Sequence, residues 1–382
     1  MKNKSKVAIT KCEIYDEKII EQKVRETIDL MQFDCTVFRN EKVIIKPNLL
    51  TSALPESGIV THPFVFKSII KIVKEHKGKP ILVESPAILK LERTLQKTGY
   101  ASIIKEEKIE VASNSDVIKI KYDAANKYKT FEVNAFLEQS TIIINLPKFK
   151  THGITYVTGA TKNVYGLIPG LRKAKLHLKG KSREEFVDLL LDYNVVLRNA
   201  FKKEKQFLHI MDAVICLEGE GPGSSGQPRL VGALMGSTDP VAIDATACRL
   251  VGLNEQKATF LKKAEELNLG NSDVDKITIL GMKLDSFDIK NYKSPADKFQ
   301  WTLINRILDS KLIRNFIVEK PVPQSKKCTL CYECKKICPA KAITRHKENT
   351  KVPVFNYAIC IRCYCCSEIC REGAITVKRS IL

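Results

Sequence analysis

The chain has no run of 18 uninterrupted apolar residues, so no membrane-spanning helix is expected. Its opening, Met-Lys-Asn-Lys-Ser-Lys-Val-Ala-Ile-Thr, lacks the apolar stretch of a signal peptide, which points to a cytoplasmic protein. Neither G-x-x-x-x-G-K-[ST] nor G-x-G-x-x-G follows a strand, so no local phosphate or dinucleotide fingerprint is present, and none supports a flavin or other organic cofactor. Negative charge is scarce: 43 Asp plus Glu stand against 63 Lys plus Arg, a formal charge of +20. The basic residues are spread out without aromatic interleaving or a recognisable nucleic-acid module, so nucleic-acid binding ranks last among the functions such a charge suggests. An acidic electron-transfer protein, such as a small ferredoxin or flavodoxin, would exploit the same field.

What is present is a globular balance, 44% hydrophobic and 28% charged, over 382 residues, a length that suggests two or three domains. Thirteen cysteines are too many to ignore, and nine of them follow residue 327. Without a secretion signal, such spacing reads as metal binding or catalysis before disulfides.

The tail reads Cys328-x-x-Cys331-x-x-Cys334-x-x-x-Cys338-Pro339, then Cys360-x-x-Cys363-x-x-Cys366-x-x-x-Cys370. A shift of 32 residues superimposes the two blocks and also maps Ala342-Ile343-Thr344 onto Ala374-Ile375-Thr376. Each half resembles the run of a bacterial two-cluster ferredoxin. Carried over residue by residue, that resemblance assigns Cys328, Cys331, Cys334 and Cys370 to one 4Fe–4S cluster and Cys360, Cys363, Cys366 and Cys338 to the other. Zinc sites usually come as separated Cys-x-x-Cys pairs, not triplets followed by a fourth cysteine and proline. Arg371 stands where the second proline is expected, and Cys365 is read as a packed or surface thiol.

Upstream, strand signals at Lys6–Cys12, Lys42–Ile45, Pro80–Glu84, Thr141–Asn145, Phe207–Ile215, Leu230–Met235 and Lys276–Leu280 alternate with helical ones. The helices include one capped at Thr61 with Pro63 in its first turn, one at Leu89–Thr98 and the amphipathic Arg183–Phe201. This alternation predicts an α/β fold with a mainly parallel sheet covered by helices, followed by a small ferredoxin-like α+β domain. The expected division is a core over 1–294, a basic helical linker over 295–325 around Trp301, Ile304, Ile307, Leu308, Leu312 and Ile313, and the cluster domain over 326–382.

Four loops follow apolar strands, where open α/β sheets bind ligands. They are Lys46-Pro47-Asn48 with Thr61-His62-Pro63; Asn145 to His152; Thr158 to Gly170; and Asp212 to Gly226, which holds Glu218-Gly219-Glu220-Gly221-Pro222-Gly223. With Ser237-Thr238-Asp239-Pro240-Val241-Ala242-Ile243-Asp244, these segments resemble the family catalogued as domain of unknown function 362, members of which often carry a ferredoxin-like tail. That resemblance implies an iron–sulfur protein of anaerobic metabolism and assigns no reaction to the core.

The residues themselves go further. Lys46, Lys148, Lys150, Lys162, His62 and His152 form a cationic site for a carboxylate, phosphate or enolate-like oxyanion if their loops converge; otherwise they are solvated surface charge. Glu218 and Glu220 fit metal coordination or acid–base work, or else a turn with solvated acids. Asp239-Pro240 reads as a helix cap, and Asp244, in an apolar segment, is an expected buried acid whose partner could be one of the lysines. The leading reading is an oxidoreductase passing low-potential electrons through two clusters to a group held by the core. The alternative is an electron carrier or assembly factor whose core docks a partner.

Overall fold

The computed structural model describes residues 4–86, 91–180, 182–295 and 319–378. Its centre is a sheet built from β1 (Ser5–Lys11), β2 (Lys42–Pro47), β3 (Lys79–Leu82), β4 (Glu110–Val111), β7 (Ile142–Leu146), β8 (Lys148–His152), β9 (Tyr156–Thr158), β10 (Gln206–Gly219), β11 (Gly226–Ser237) and β12 (Ile277–Gly281). β5 (Val117–Lys121) and β6 (Thr130–Asn134) form a separate hairpin. The strand order is β12-β1-β11-β10-β7-β2-β3-β4, and β8 continues beside β10 and pairs β9. From β10 through β7, β2 and β3 to β4 every pairing is parallel, whereas β11 lies antiparallel to both β1 and β10. The expected α/β fold with a mainly parallel sheet is therefore the observed one, with an antiparallel β10–β11 pair inserted.

Strand alternation assigns side chains to two helical layers. Val43 and Ile45 pack with α1 (Glu17–Met31) and α2 (Pro63–Glu75), through Ile20, Val24, Val65 and Ile69; between them Ile44 faces the other layer, against Leu189, Leu190 and Tyr193 of α7 (Arg183–Asn199). Ile142, Ile144 and Ile143 repeat that division. Because these strands are buried on both faces, they read in the sequence as continuous apolar runs. α7 starts with a capping box between Ser182 and Glu185. Asp239 caps α8 (Pro240–Leu250) by accepting from the amides of Val241 and Ala242.

At α2 the cap is His62, not Thr61. Thr61 Oγ1 is occupied elsewhere, donating to Leu146 O at 2.7 Å and accepting from Asn48 N at 3.0 Å. The expected Leu89–Thr98 helix is described over Leu91–Lys97, its start lying outside the described residues.

The apolar residues expected in the linker, from Trp301 to Ile313, also lie outside the described residues. At the end of that segment, Lys320–Pro323 forms β13, which pairs antiparallel with β16 (Ile375–Lys378); between them in the chain, β14 (Ile343–Thr344) pairs with β15 (Val354–Phe355). The sequence repeat recurs in the backbone. Left-handed residues at Leu330, Tyr332 and Lys341 reappear 32 positions on at Arg362, Tyr364 and Gly373. The short helices Glu333–Ile337 and Cys365–Ile369 are likewise one repeat apart.

Candidate functional site

At the carboxyl ends of β2 and β3, a cavity of about 120 Å³ opens between the core and the cysteine-rich tail. Lys46, Asn48, Glu84, Ser85 and Lys162 line the core side, joined by Lys173 and His177 from the segment after Gly170. The tail contributes Ile337, Cys365, Glu368 and Ile369.

Lys46 leaves β2 fully buried and meets the carboxylate of Glu84 at 2.7 Å. Glu84 also accepts from the amides of Leu49 at 3.1 Å and Ser85 at 2.7 Å, so its position is fixed from three sides. Burial lowers the Lys46 ammonium from its usual range, and Glu84 partly restores it. Gly166 permits this path, since a Cβ there would overlap the Cε and Nζ of Lys46.

Lys150 stands behind the wall. Its Nζ donates to Asn48 Oδ1 and to Ile59 O, both at 2.8 Å. Asn48 therefore turns its amide group to Asn163 Oδ1 at 2.8 Å, and Asn163 in turn donates to Asn145 Oδ1 at 2.7 Å. Lys150 thus orients a chain of amides beneath the cavity; burial and the neighbouring Lys162 push its own ammonium well below the usual range.

Lys162, half-buried in the short helix Ala160–Asn163, is the cation with no hydrogen bond or ion pair among the described residues of the wall. Its charge is felt by Lys46, Lys150, Lys173, His177 and Glu368. Burial holds Lys173 at about 8, and it donates to Ser85 O. His177, stacked on Phe186 with ring centroids 4.3 Å apart, is pushed by burial to about 4 and stays neutral at pH 7.

The tail is fastened at the same place. His152 Nδ1 accepts from the amides of Ile154 and Thr155, and Nε2 stands 3.2 Å from Glu368 Oε1. Burial would raise the Glu368 carboxyl, but the bond to His152 and the cations around it hold it down at about 2. Gly223 lies so close to the tail that a Cβ would stand 2.8 Å from Glu368 O.

Other expected site residues lie elsewhere. Lys148 is buried in an ion pair with Asp212 at 2.8 Å; Tyr15 hydrogen-bonds both, and its ring stacks on His62 at 3.8 Å. His62 donates its amide to Asp212 and, held by burial at about 4, is neutral. This closed knot is structural. Among the described residues Asp244 has no lysine partner; its carboxylate accepts from the amides of Ala160 at 2.6 Å and Thr161 at 2.9 Å. Burial raises it to about 7, and the amides oppose that rise. β10 carries Glu218 past the cavity to the amide of Lys293 at 3.0 Å, and Glu220 is not part of the cavity wall. Of the expected cationic site, Lys46 and Lys162 share the cavity, Lys150 and His152 support it, and Lys148 does not reach it.

Cys334 lies within electrostatic reach of Cys331, Cys370 and Cys328; Cys366 lies within reach of Cys363, Cys360, Cys334 and Cys338. Burial raises both thiols, Cys334 to about 12. Repeat-related amides donate to sulfur, Ala342 to Cys338 and Ala374 to Cys370, each at 3.2 Å. All thirteen cysteines are free of disulfides. Among the described residues no three His, Cys, Asp or Glu side chains are arranged to hold a single metal ion. A four-iron cluster asks for a different arrangement, one thiolate per iron around a cube, and the free thiols with their N–H···S bonds are the donor type it takes. The cysteine-rich terminus is thus compatible with metal binding. No helix among the described residues is long and apolar enough to cross a membrane.

Comparison with known proteins places this site in context. A thylakoid-associated protein of Synechocystis sp. is 28% identical over 238 residues, which are 60% of this chain and 68% of that protein. Among solved structures, the lactate racemase apoprotein of Thermoanaerobacterium thermosaccharolyticum matches with TM-score 0.41 and 14% identity over 66% of this chain, and a structural-genomics protein of Thermotoga maritima with 0.37 and 12% over 68%. The chain spans 57% and 60% of the lengths of those two. The model of the family described as domain of unknown function (DUF362) matches residues 43–249, more than half of the sequence, and the chain belongs to that family.

Proposed function

We propose that the protein is an iron–sulfur oxidoreductase of anaerobic metabolism, passing low-potential electrons through two 4Fe–4S clusters to a group bound in the core cavity. The observation that carries this reading is that Cys365 and Glu368, both inside the second cysteine block, line the same cavity as Lys46 and Lys162. Cys328, Cys331, Cys334 and Cys370 would hold one cluster, and Cys338, Cys360, Cys363 and Cys366 the other; bound clusters supply one-electron transfer. The amides of Ala342 and Ala374 steady the sulfurs of Cys338 and Cys370, while Glu368 and Ile369 line the tail side of the cavity.

An acidic electron-transfer protein is the expected donor. Cys331 is exposed, and Lys326, Lys327, Lys335 and Lys336 around it are exposed as well. The test is a redox titration of the anaerobic holoprotein, followed by electron paramagnetic resonance, on wild type and Lys162→Ala. Removing a positive charge beside the second cysteine block should lower one of two midpoint potentials and leave the other in place. If both potentials stay unchanged, the cavity is not electrically joined to either cluster, and the carrier or assembly-factor reading takes over.

A further inference from the structure

We infer that the cavity selects a small monocarboxylate and rejects both inorganic phosphate and neutral analogues; the inference rests on the cavity being the acceptor site proposed above. Size comes first. Engineered apolar cavities of about 150 Å³ hold one benzene, so a space of about 120 Å³ takes a ligand of roughly six heavy atoms or fewer. Nucleotides and flavins need far more, since pockets for drug-sized ligands start at about 300 Å³.

Charge decides the class. Lys46, Lys162 and Lys173 place three ammonium groups in the wall, against the carboxylates of Glu84 and Glu368. One positive charge is in excess, and its place is settled by the pairing: Lys46 is bound to Glu84, Lys173 to Ser85 O, and Glu368 to His152. Lys162 is left as the ammonium available to a ligand. A half-buried ammonium with no hydrogen-bond partner among the described residues gains when an anion arrives to pair with it. A single negative charge balances the site. Phosphate as a dianion would overfill it and would face Glu84 and Glu368 at close range.

The remaining walls suit the rest of a carboxylic acid. Leu49, Leu50, Tyr165, Ile337 and Ile369 surround a short hydrocarbon chain. Among the polar groups beside them, Asn48 is already bonded to Asn163 and Lys150.

Isothermal titration of the oxidised, anaerobic holoprotein with acetate, propionate, acetamide, propionamide and phosphate tests this without any electron transfer. Acetate or propionate should bind saturably, the amides and phosphate at least tenfold more weakly, and Lys162→Met should weaken the carboxylates at least tenfold with the visible spectrum of the clusters intact. Lys173→Met, with its ammonium already bonded, should lose less than Lys162→Met. Equal binding of amide and acid, tighter binding of phosphate, an unaffected Lys162→Met, or no saturable carboxylate binding up to tens of millimolar would each overturn the inference. None of these outcomes touches the redox titration, so a failed ligand class and a failed electron path are told apart.

Discussion

His152 at the end of β8 and Glu368 in the tail meet at 3.2 Å, Nε2 to Oε1, and this contact fixes the tautomer of the histidine. Nδ1 already accepts from two backbone amides, so the ring proton sits on Nε2, the nitrogen that faces Glu368. Core and tail are thereby joined beside the cavity. Glu368→Ala should loosen that seam and let an iron chelator strip the clusters several-fold faster than in wild type, whereas Glu368→Gln, which keeps an acceptor oxygen, should stay close to wild type. Equal stripping rates in wild type and Glu368→Ala would mean the contact does not hold the tail.

Lys46 and Glu84 make a pair that is worth little in place and much when broken. Removing one partner of a buried ion pair leaves the other uncompensated, at about 3–5 kcal/mol. Lys46→Met should fall near the lower end of that range, since Glu84 keeps the amides of Leu49 and Ser85. The double variant Lys46→Met/Glu84→Leu should be more stable than the single one in denaturant titration. A single variant less destabilised than about 1 kcal/mol would contradict the pairing.

Stability should fall as pH drops from 6.5 toward 5. Burial holds His62 and His177 at about 4 and His209 at about 3. The unfolded chain binds those protons first, near pH 6.5, so each histidine costs up to about 1.4 kcal/mol per pH unit below that value. Asp244, raised to about 7, acts in the opposite direction, because in the same window the folded state holds its proton and the unfolded state does not. Three histidines outweigh one aspartate. His177→Phe, which preserves a ring against Phe186, should flatten the slope of denaturation midpoint against pH; an unchanged slope would show that His177 is not held neutral.

Electron transfer from an acidic ferredoxin should slow as ionic strength rises, because the Debye length shrinks from about 10 Å at 0.1 M to about 3 Å at 1 M. Lys335→Glu/Lys336→Glu should slow it at low salt and leave carboxylate binding untouched. A rate indifferent to both salt and charge reversal would remove this face as the docking surface. Competition by nucleic acid at physiological salt would instead support the nucleic-acid reading.

Much of this was legible in the sequence because parallel strands buried on both faces leave uninterrupted apolar runs, as at Val43–Ile45 and Ile142–Ile144. Lys46 and Lys162 were found by position, the first at the carboxyl end of β2 and the second just after β9. Lys148, Lys150 and His152 share one face of β8, yet successive steps along the strand bring them to different partners: Asp212, Asn48 and Glu368. Such partners are set by tertiary packing, which periodicity does not encode. Glu84 carried a usable signal, an acid at the end of an apolar parallel strand. Lys173 and His177 carried none, and Glu368 was hidden among the cysteines.

The most direct measurement is the iron and acid-labile sulfide content of anaerobically purified protein. Close to eight of each is the expected result, as two 4Fe–4S clusters require, with Cys338→Ser losing half of both and Cys365→Ser losing neither. Two irons, or stoichiometric zinc in place of iron, would contradict the account.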